Sequence, residues 1–170
     1  MKHAHSRKAE FDFHWPAPPL HVVLVSPEIP PNTGNIARLC AATGTRLHLV
    51  EPLGFQITDA QLRRAGLDYW DAVHVQVHPS WPACLDAIKP ARLFFFSTGS
   101  SRPYTRVEYR PGDVLVFGCE TKGLPDEILA AHPDSVCGIP IQTRHVRSLN
   151  LSSAVAIVVY EALRQIDNRS

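Results

Sequence analysis

The residues best suited to chemistry are gathered between Gln142 and Ser152, QTRHVRSLNLS. This run brings together Arg144, His145, Arg147, Ser148, Asn150 and Ser152, and no acid occurs between Asp134 and Glu161. Hydroxyl, amide and cationic groups packed this closely suit a polar ligand. They do not suit nucleophilic hydrolysis: Ser148 lacks the G-x-S-x-G elbow, and His145 lies only three residues away on an irregular loop. A second candidate is Gly118 to Gly123, which follows an apolar run. A phosphate-binding P-loop needs Lys and then Ser or Thr after the second glycine, and Leu124-Pro125 stand there instead. No G-x-G-x-x-G follows any strand, so a dinucleotide site is excluded as well. The two glycines mark a tight turn with close backbone approach, compatible with a nucleoside-type ligand or with a turn alone. Arg38 is a third candidate. It falls off the apolar line of its helix, near the first turn, where a cation has the wrong sign for the helix dipole.

No metal is expected. Cys40, Cys84, Cys119 and Cys137 are scattered with no C-x-x-C pair, which reads as reduced, partly buried thiols. His74 and His78 would be metal-spaced on a helix. The alternation of Val73, Val75 and Val77 with His74, Gln76 and His78 instead predicts a strand with one solvated polar face.

The elements that must position these groups alternate. Strands are expected at His21–Val25, Arg46–Val50, Val73–His78, Arg92–Thr98, Asp113–Phe117 and Val136–Ile141. Helices are expected from near Asn35 to Gly44 (capped by Asn32 or Thr33), over Ala60–Ala65, from Ser80 through Lys89, over Asp126–Ala131, and after Ser148-Leu149-Asn150-Leu151-Ser152. This last helix is apolar on every face from Ala154 to Val159, the signature of burial all round. At about a dozen apolar residues it is shorter than the roughly 20 that cross a bilayer. Alternating βα units predict an α/β fold on a mainly parallel sheet, with ligands beyond the carboxyl ends of the strands. Three of those ends are polar: Phe96-Ser97-Thr98, Gly118 to Gly123, and Ile141 to Asn150.

A chain of 170 residues makes one domain that buries about 70% of its unfolded surface. It is 45% hydrophobic and 19% charged, and its net charge of +1 excludes a uniformly basic nucleic-acid binder while permitting a local basic face. Four arginines and one acid between Arg92 and Arg110 make one such region. Residues 1–20, with Lys2, Arg7, Lys8 and Pro16, Pro18 and Pro19, read as a flexible extension. Residues 21–167 read as the domain. Met1 to Trp15 lacks the apolar core of a secretory signal, so a cytoplasmic protein is expected.

Three segments together resemble the SPOUT family of RNA methyltransferases: Pro30-Pro31-Asn32-Thr33-Gly34-Asn35-Ile36-Ala37-Arg38, Phe117-Gly118-Cys119-Glu120-Thr121-Lys122-Gly123-Leu124-Pro125, and Ile139-Pro140-Ile141 followed by Arg147-Ser148-Leu149-Asn150-Leu151-Ser152. Within it, Pro27 to Asn35 and Leu62 to Tyr69 are similar to the small enzymes that 2′-O-methylate the tRNA wobble nucleotide. The resemblance implies a parallel sheet whose C-terminal segment forms a deep trefoil knot, a homodimer with no membrane association, and S-adenosylmethionine as cofactor without a metal. It implies tRNA as partner, with the wobble cytidine or uridine of leucine-type tRNAs as target. By resemblance, Phe96, Gly118, Ile139, Ser148 and Leu149 hold the cofactor. Glu120 and Asn150 brace the loops or the ribose site, and Asn32 and Arg38 face the RNA, these four making up the catalytic group. Cys119 stands where such enzymes usually have Pro, and the Gln142–Val146 loop is longer than usual. Methylation of another RNA site, or a non-catalytic knotted RNA-binding or assembly factor, are the alternatives.

Overall fold

In the computed structural model, residues 9–58, 72–142 and 144–169 are described. The apolar runs form the strands β1 (His21–Val25), β2 (Arg46–Val50), β3 (Val75–His78), β4 (Leu93–Phe96), β5 (Val114–Phe117) and β6 (Val136–Cys137). Between them run α1 (Pro30–Thr43), α2 (Trp81–Ile88), α3 (Asp126–Ala131) and α4 (Leu151–Asp167). All five strand pairings are parallel, in the order β3-β2-β1-β5-β4-β6. The expected α/β fold on a parallel sheet is therefore present. The helix expected at 60–65 and the Leu62–Tyr69 motif lie outside the described residues.

Central strands covered on both faces read as continuous apolar runs, and β1 and β5 do so here. One face (Val22, Leu24, Leu47, Leu49, Leu115 and Phe117) packs against Ile36 and Cys40 of α1 and Val155, Val158, Val159 and Leu163 of α4. The other (Val23, Val25, Val50, Phe95, Val114 and Val116) packs against Cys84 and Ile88 of α2 and Ile128 of α3. The chain steps outward from β1 to β3, crosses to β4, and then places β5 between β1 and β4. The crevice beyond the carboxyl ends at such a reversal is where open α/β sheets bind ligands.

Several local expectations change. α1 begins at Pro30, not near Asn35, because Pro is preset for the first helical turn and loses no needed N–H there. Asn32 and Thr33 are thus helix residues, not caps, and Arg38 falls in the third turn. Gly44 ends α1 at φ 69°, as a left-handed stop. Ser80 caps α2, its hydroxyl accepting from the Ala83 N–H at 3.3 Å. α4 is not buried all round: Ile157 is 37% and Tyr160 53% exposed. His78 is buried rather than solvated, because the β2–β3 register sets it beside Val50 on the covered face.

Within residues 9–20, most side chains are exposed and a few touch the domain. Phe13 packs on the α1–α4 side of the core, and Asp167 Oδ1 at the end of α4 accepts the His14 N–H at 2.9 Å.

Candidate active site

The entry of α1 supplies no side-chain cap of its own, since Ile29 stands at that position. The carboxylate of Glu120, from the loop after β5, instead anchors the residues that lead into the helix. It accepts the backbone N–H of Glu28 at 2.7 Å and of Ile29 at 3.0 Å, and Nδ2 of Asn32 at 3.2 Å. A negative charge here also complements the positive end of the helix dipole. Glu28 returns the contact, its carboxylate accepting the Thr121 N–H at 3.0 Å and the Thr121 hydroxyl at 2.9 Å. Asn32 passes the network onward: its Oδ1 accepts Asn150 Nδ2 at 2.9 Å. Asn150 in turn caps α4, its Oδ1 accepting from the Ser152 N–H at 3.0 Å, the Ser152 hydroxyl at 2.6 Å and the Ser153 N–H at 3.4 Å. Three sequence-distant motifs are thereby tied by Glu120, Asn32 and Asn150.

β5 turns sharply at its end. The Gly123 N–H donates to the Cys119 carbonyl at 3.0 Å, and the Cys119 N–H to the Gly123 carbonyl at 3.3 Å, with Gly123 at φ 70°. A Cβ on Gly118 would overlap the Gly123 carbonyl carbon and the Leu124 nitrogen. Only glycine permits this approach of backbone to backbone. The Phe96 and Phe117 rings stack at 4.8 Å between centroids, forming an apolar wall at the same place.

A cavity of about 600 Å³ opens beyond the carboxyl ends of β4, β5 and β6. It is lined by Phe96, Ser97 and Thr98, by Gly118 to Leu124, by Ile139 and Ile141, and by Arg147 to Leu151 at the mouth of α4. Such a volume, walled by rings and aliphatic groups and rimmed with amides and hydroxyls, fits a nucleoside-sized ligand. All five residues predicted to hold the cofactor line it (Phe96, Gly118, Ile139, Ser148, Leu149), and so do Asn32, Glu120 and Asn150. Arg38 does not. Six residues past Asn32, it lies about 9 Å further along the α1 axis, on an exposed face. Arg144 and His145 are exposed and also lie outside the lining.

Two participants escaped the sequence reading. Glu28 makes the reciprocal clasp to Thr121, and an acid just before a Pro-Pro helix start was the available signal. Lys122 lines the cavity and brings a cation to its rim; nothing in its local sequence distinguishes it.

Residues 19–160 match the SpoU rRNA Methylase family. A protein of Methylovorus glucosotrophus named tRNA (cytidine(34)-2'-O)-methyltransferase is 52% identical over 147 residues, covering 86% of this chain and 95% of its own length. A solved structure described as concerning 2-OH methylation of C/U34 on tRNA superposes with a TM-score of 0.82 at 48% identity, covering 86% of this chain and 95% of that one. An AdoMet-bound rRNA methyltransferase from Sinorhizobium meliloti superposes with a TM-score of 0.76 at 26% identity, over 85% of this chain and 56% of that one. Fold, cavity and sequence agree, and the chain belongs to the SpoU rRNA methylase family.

Proposed function

We propose that this protein transfers the methyl group of S-adenosylmethionine to the ribose 2′-hydroxyl of the tRNA wobble nucleotide, cytidine or uridine. The observation that carries this is the cavity at the ends of β4–β6, where all three motifs converge in a chain half identical to enzymes of that name. The residues present suit the cofactor. Gly118 leaves room where any Cβ would collide, and Phe96 and Phe117 supply a flat apolar wall.

When bound, S-adenosylmethionine supplies a sulfonium methyl, already a strong electrophile, and leaves as the neutral thioether. The chain's part is alignment: holding the 2′-oxygen about 3–3.5 Å from the methyl carbon can supply much of the barrier reduction. Gly118 and the backbone around Ile139, Ser148 and Leu149 fix one partner. Glu120, Asn32 and Asn150 hold the loops at mutual register. Arg38, exposed on α1, meets the RNA backbone. A guanidinium carries donors and no acceptor, so its role is to bind phosphate rather than to take the 2′-hydroxyl proton, which passes to solvent water.

We further propose a cytoplasmic homodimer whose C-terminal segment is threaded as the family's trefoil knot. The exposed Ile157 and Tyr160 support the dimer, since they give α4 an apolar outer face. Among the described residues no helix is long and apolar enough to cross a membrane. Incubation with labelled methyl donor and unmodified total tRNA, followed by nuclease mapping, tests the activity. Label on the wobble ribose supports it. Label only at other tRNA positions, or none with the cofactor bound, overturns it.

A further inference from the structure

A second cluster of chemistry-bearing side chains lies on the other face of the sheet, under α2. His21, His48 and His78 project from β1, β2 and β3 onto that face because the parallel registers align Val23 with His48 and Val50 with His78. His21 Nδ1 lies 2.9 Å from His48 Nε2, and His48 Nδ1 lies 2.9 Å from His78 Nε2. Cys84 of α2 completes the group. One donor atom from each of His48, His78 and Cys84 lies within 4.8 Å of the other two, and all three residues are buried. No other such trio occurs among the described residues.

We propose that His48, His78 and Cys84 form a copper site that takes Cu(I). Two imidazoles and one thiolate are the trigonal donor set of blue-copper proteins, and a soft thiolate suits Cu(I) as it does Zn(II). Charge favours Cu(I). On binding, Cu(I) displaces the Cys84 thiol proton to solvent and forms a Cu–S bond. The cation and the thiolate cancel, and no net charge is left in an apolar space. Zn(II) would leave one positive charge near Arg46 and would want a fourth ligand, which this trio lacks. His78 gives up its Nε2 lone pair to the metal by carrying its proton on Nδ1, with no net proton change. The outer shell is already in place: His48 Nε2 lies 2.9 Å from His21 Nδ1, so with Nδ1 on the metal His48 would carry its proton on Nε2 and donate it to His21, the second-ring-nitrogen contact that ligating histidines make. A cleft of about 480 Å³, lined by Arg46, His48, His74 and Gln76 among others, reaches His48 from outside, while His78 and Cys84 lie beyond its lining.

The test is an anaerobic titration of the full chain with Cu(I) against a chromophoric Cu(I) chelator, with Zn(II) titrated in parallel and X-ray absorption of the loaded protein. The expected result is one Cu(I) per chain with one sulfur and two nitrogen neighbours. Cys84→Ser and His78→Gln each abolish competition with the chelator while circular dichroism shows a folded protein. His21→Gln, which removes only the outer contact, weakens binding by about 10- to 100-fold. Three results would overturn the proposal: no competition with the chelator, Zn(II) bound in preference, or full-strength Cu(I) binding in both Cys84→Ser and His78→Gln. If Cys84→Ser fails to fold, His78→Gln on the edge strand decides alone.

Discussion

At the scale of single residues, Glu120 does the most to hold the candidate site together. It receives two backbone N–H groups and the Asn32 amide, and Asn32 is the link to Asn150. Glu120→Gln keeps the shape but turns one acceptor into a donor facing donors. Hydrogen bonds to charged groups contribute about 1.5–3 kcal/mol, so a loss of about 1–3 kcal/mol is expected in urea unfolding. Cofactor affinity, measured by calorimetry, falls with it because the loops lose register. Gly118→Ala forces the turn apart, and overpacking of this kind costs about 1–3 kcal/mol. Its cofactor binding, followed by the same calorimetry, is lost well before the fold. Arg38 behaves differently. It is exposed and away from the cavity, so Arg38→Ala changes stability by no more than about 0.5 kcal/mol. It keeps cofactor binding and loses methyl transfer to tRNA in a single-turnover assay; full turnover would remove Arg38 from the mechanism.

At the scale of elements, α1 and α4 show what local sequence can and cannot say. Gly44 and Asn150 announce helix boundaries through backbone geometry and capping, and those signals are local, whereas Pro30-Pro31, which reads as a bar to helix, stands at the start of α1. The anchor of the α1 entry is not local: it comes from Glu120, 88 positions beyond Asn32, so no window on the sequence could reveal it. α4 reads as apolar on every face, yet Ile157 and Tyr160 stay open to solvent in the single chain. Composition reports how much surface a helix wants covered, not which neighbour covers it. If a second copy covers this face, Ile157→Asp with Tyr160→Asp yields a monomer by light scattering at concentrations where the parent is a dimer. A parent already monomeric would refute the dimer.

At the scale of the whole molecule, described residues far apart in sequence meet at the end of α4. Phe13 packs on the core, and His14 meets Asp167 at the end of α4. Deleting residues 1–19 is expected to lower the thermal midpoint by about 2–4 °C for each kcal/mol lost, seen by calorimetry. Methyl transfer by the folded variant is unchanged, because no described residue of this arm lines the cavity. Much of the architecture was legible from one dimension. Apolar runs gave the strand positions, their alternation with helices gave a parallel sheet, and polar strand ends marked the cavity. Those properties follow from short-range periodicity and from the rule that parallel sheets bind ligands at their carboxyl ends. What the tertiary structure alone decided concerns register and reach. His78 looks like one member of a solvated face in sequence; the pairing of β3 with β2 turns it inward, beside His48 and Cys84. Arg38 sits in the same motif as Asn32, yet the helical turn carries it out of the cavity. Sequence determines which groups a segment offers, and three-dimensional pairing determines which of them meet.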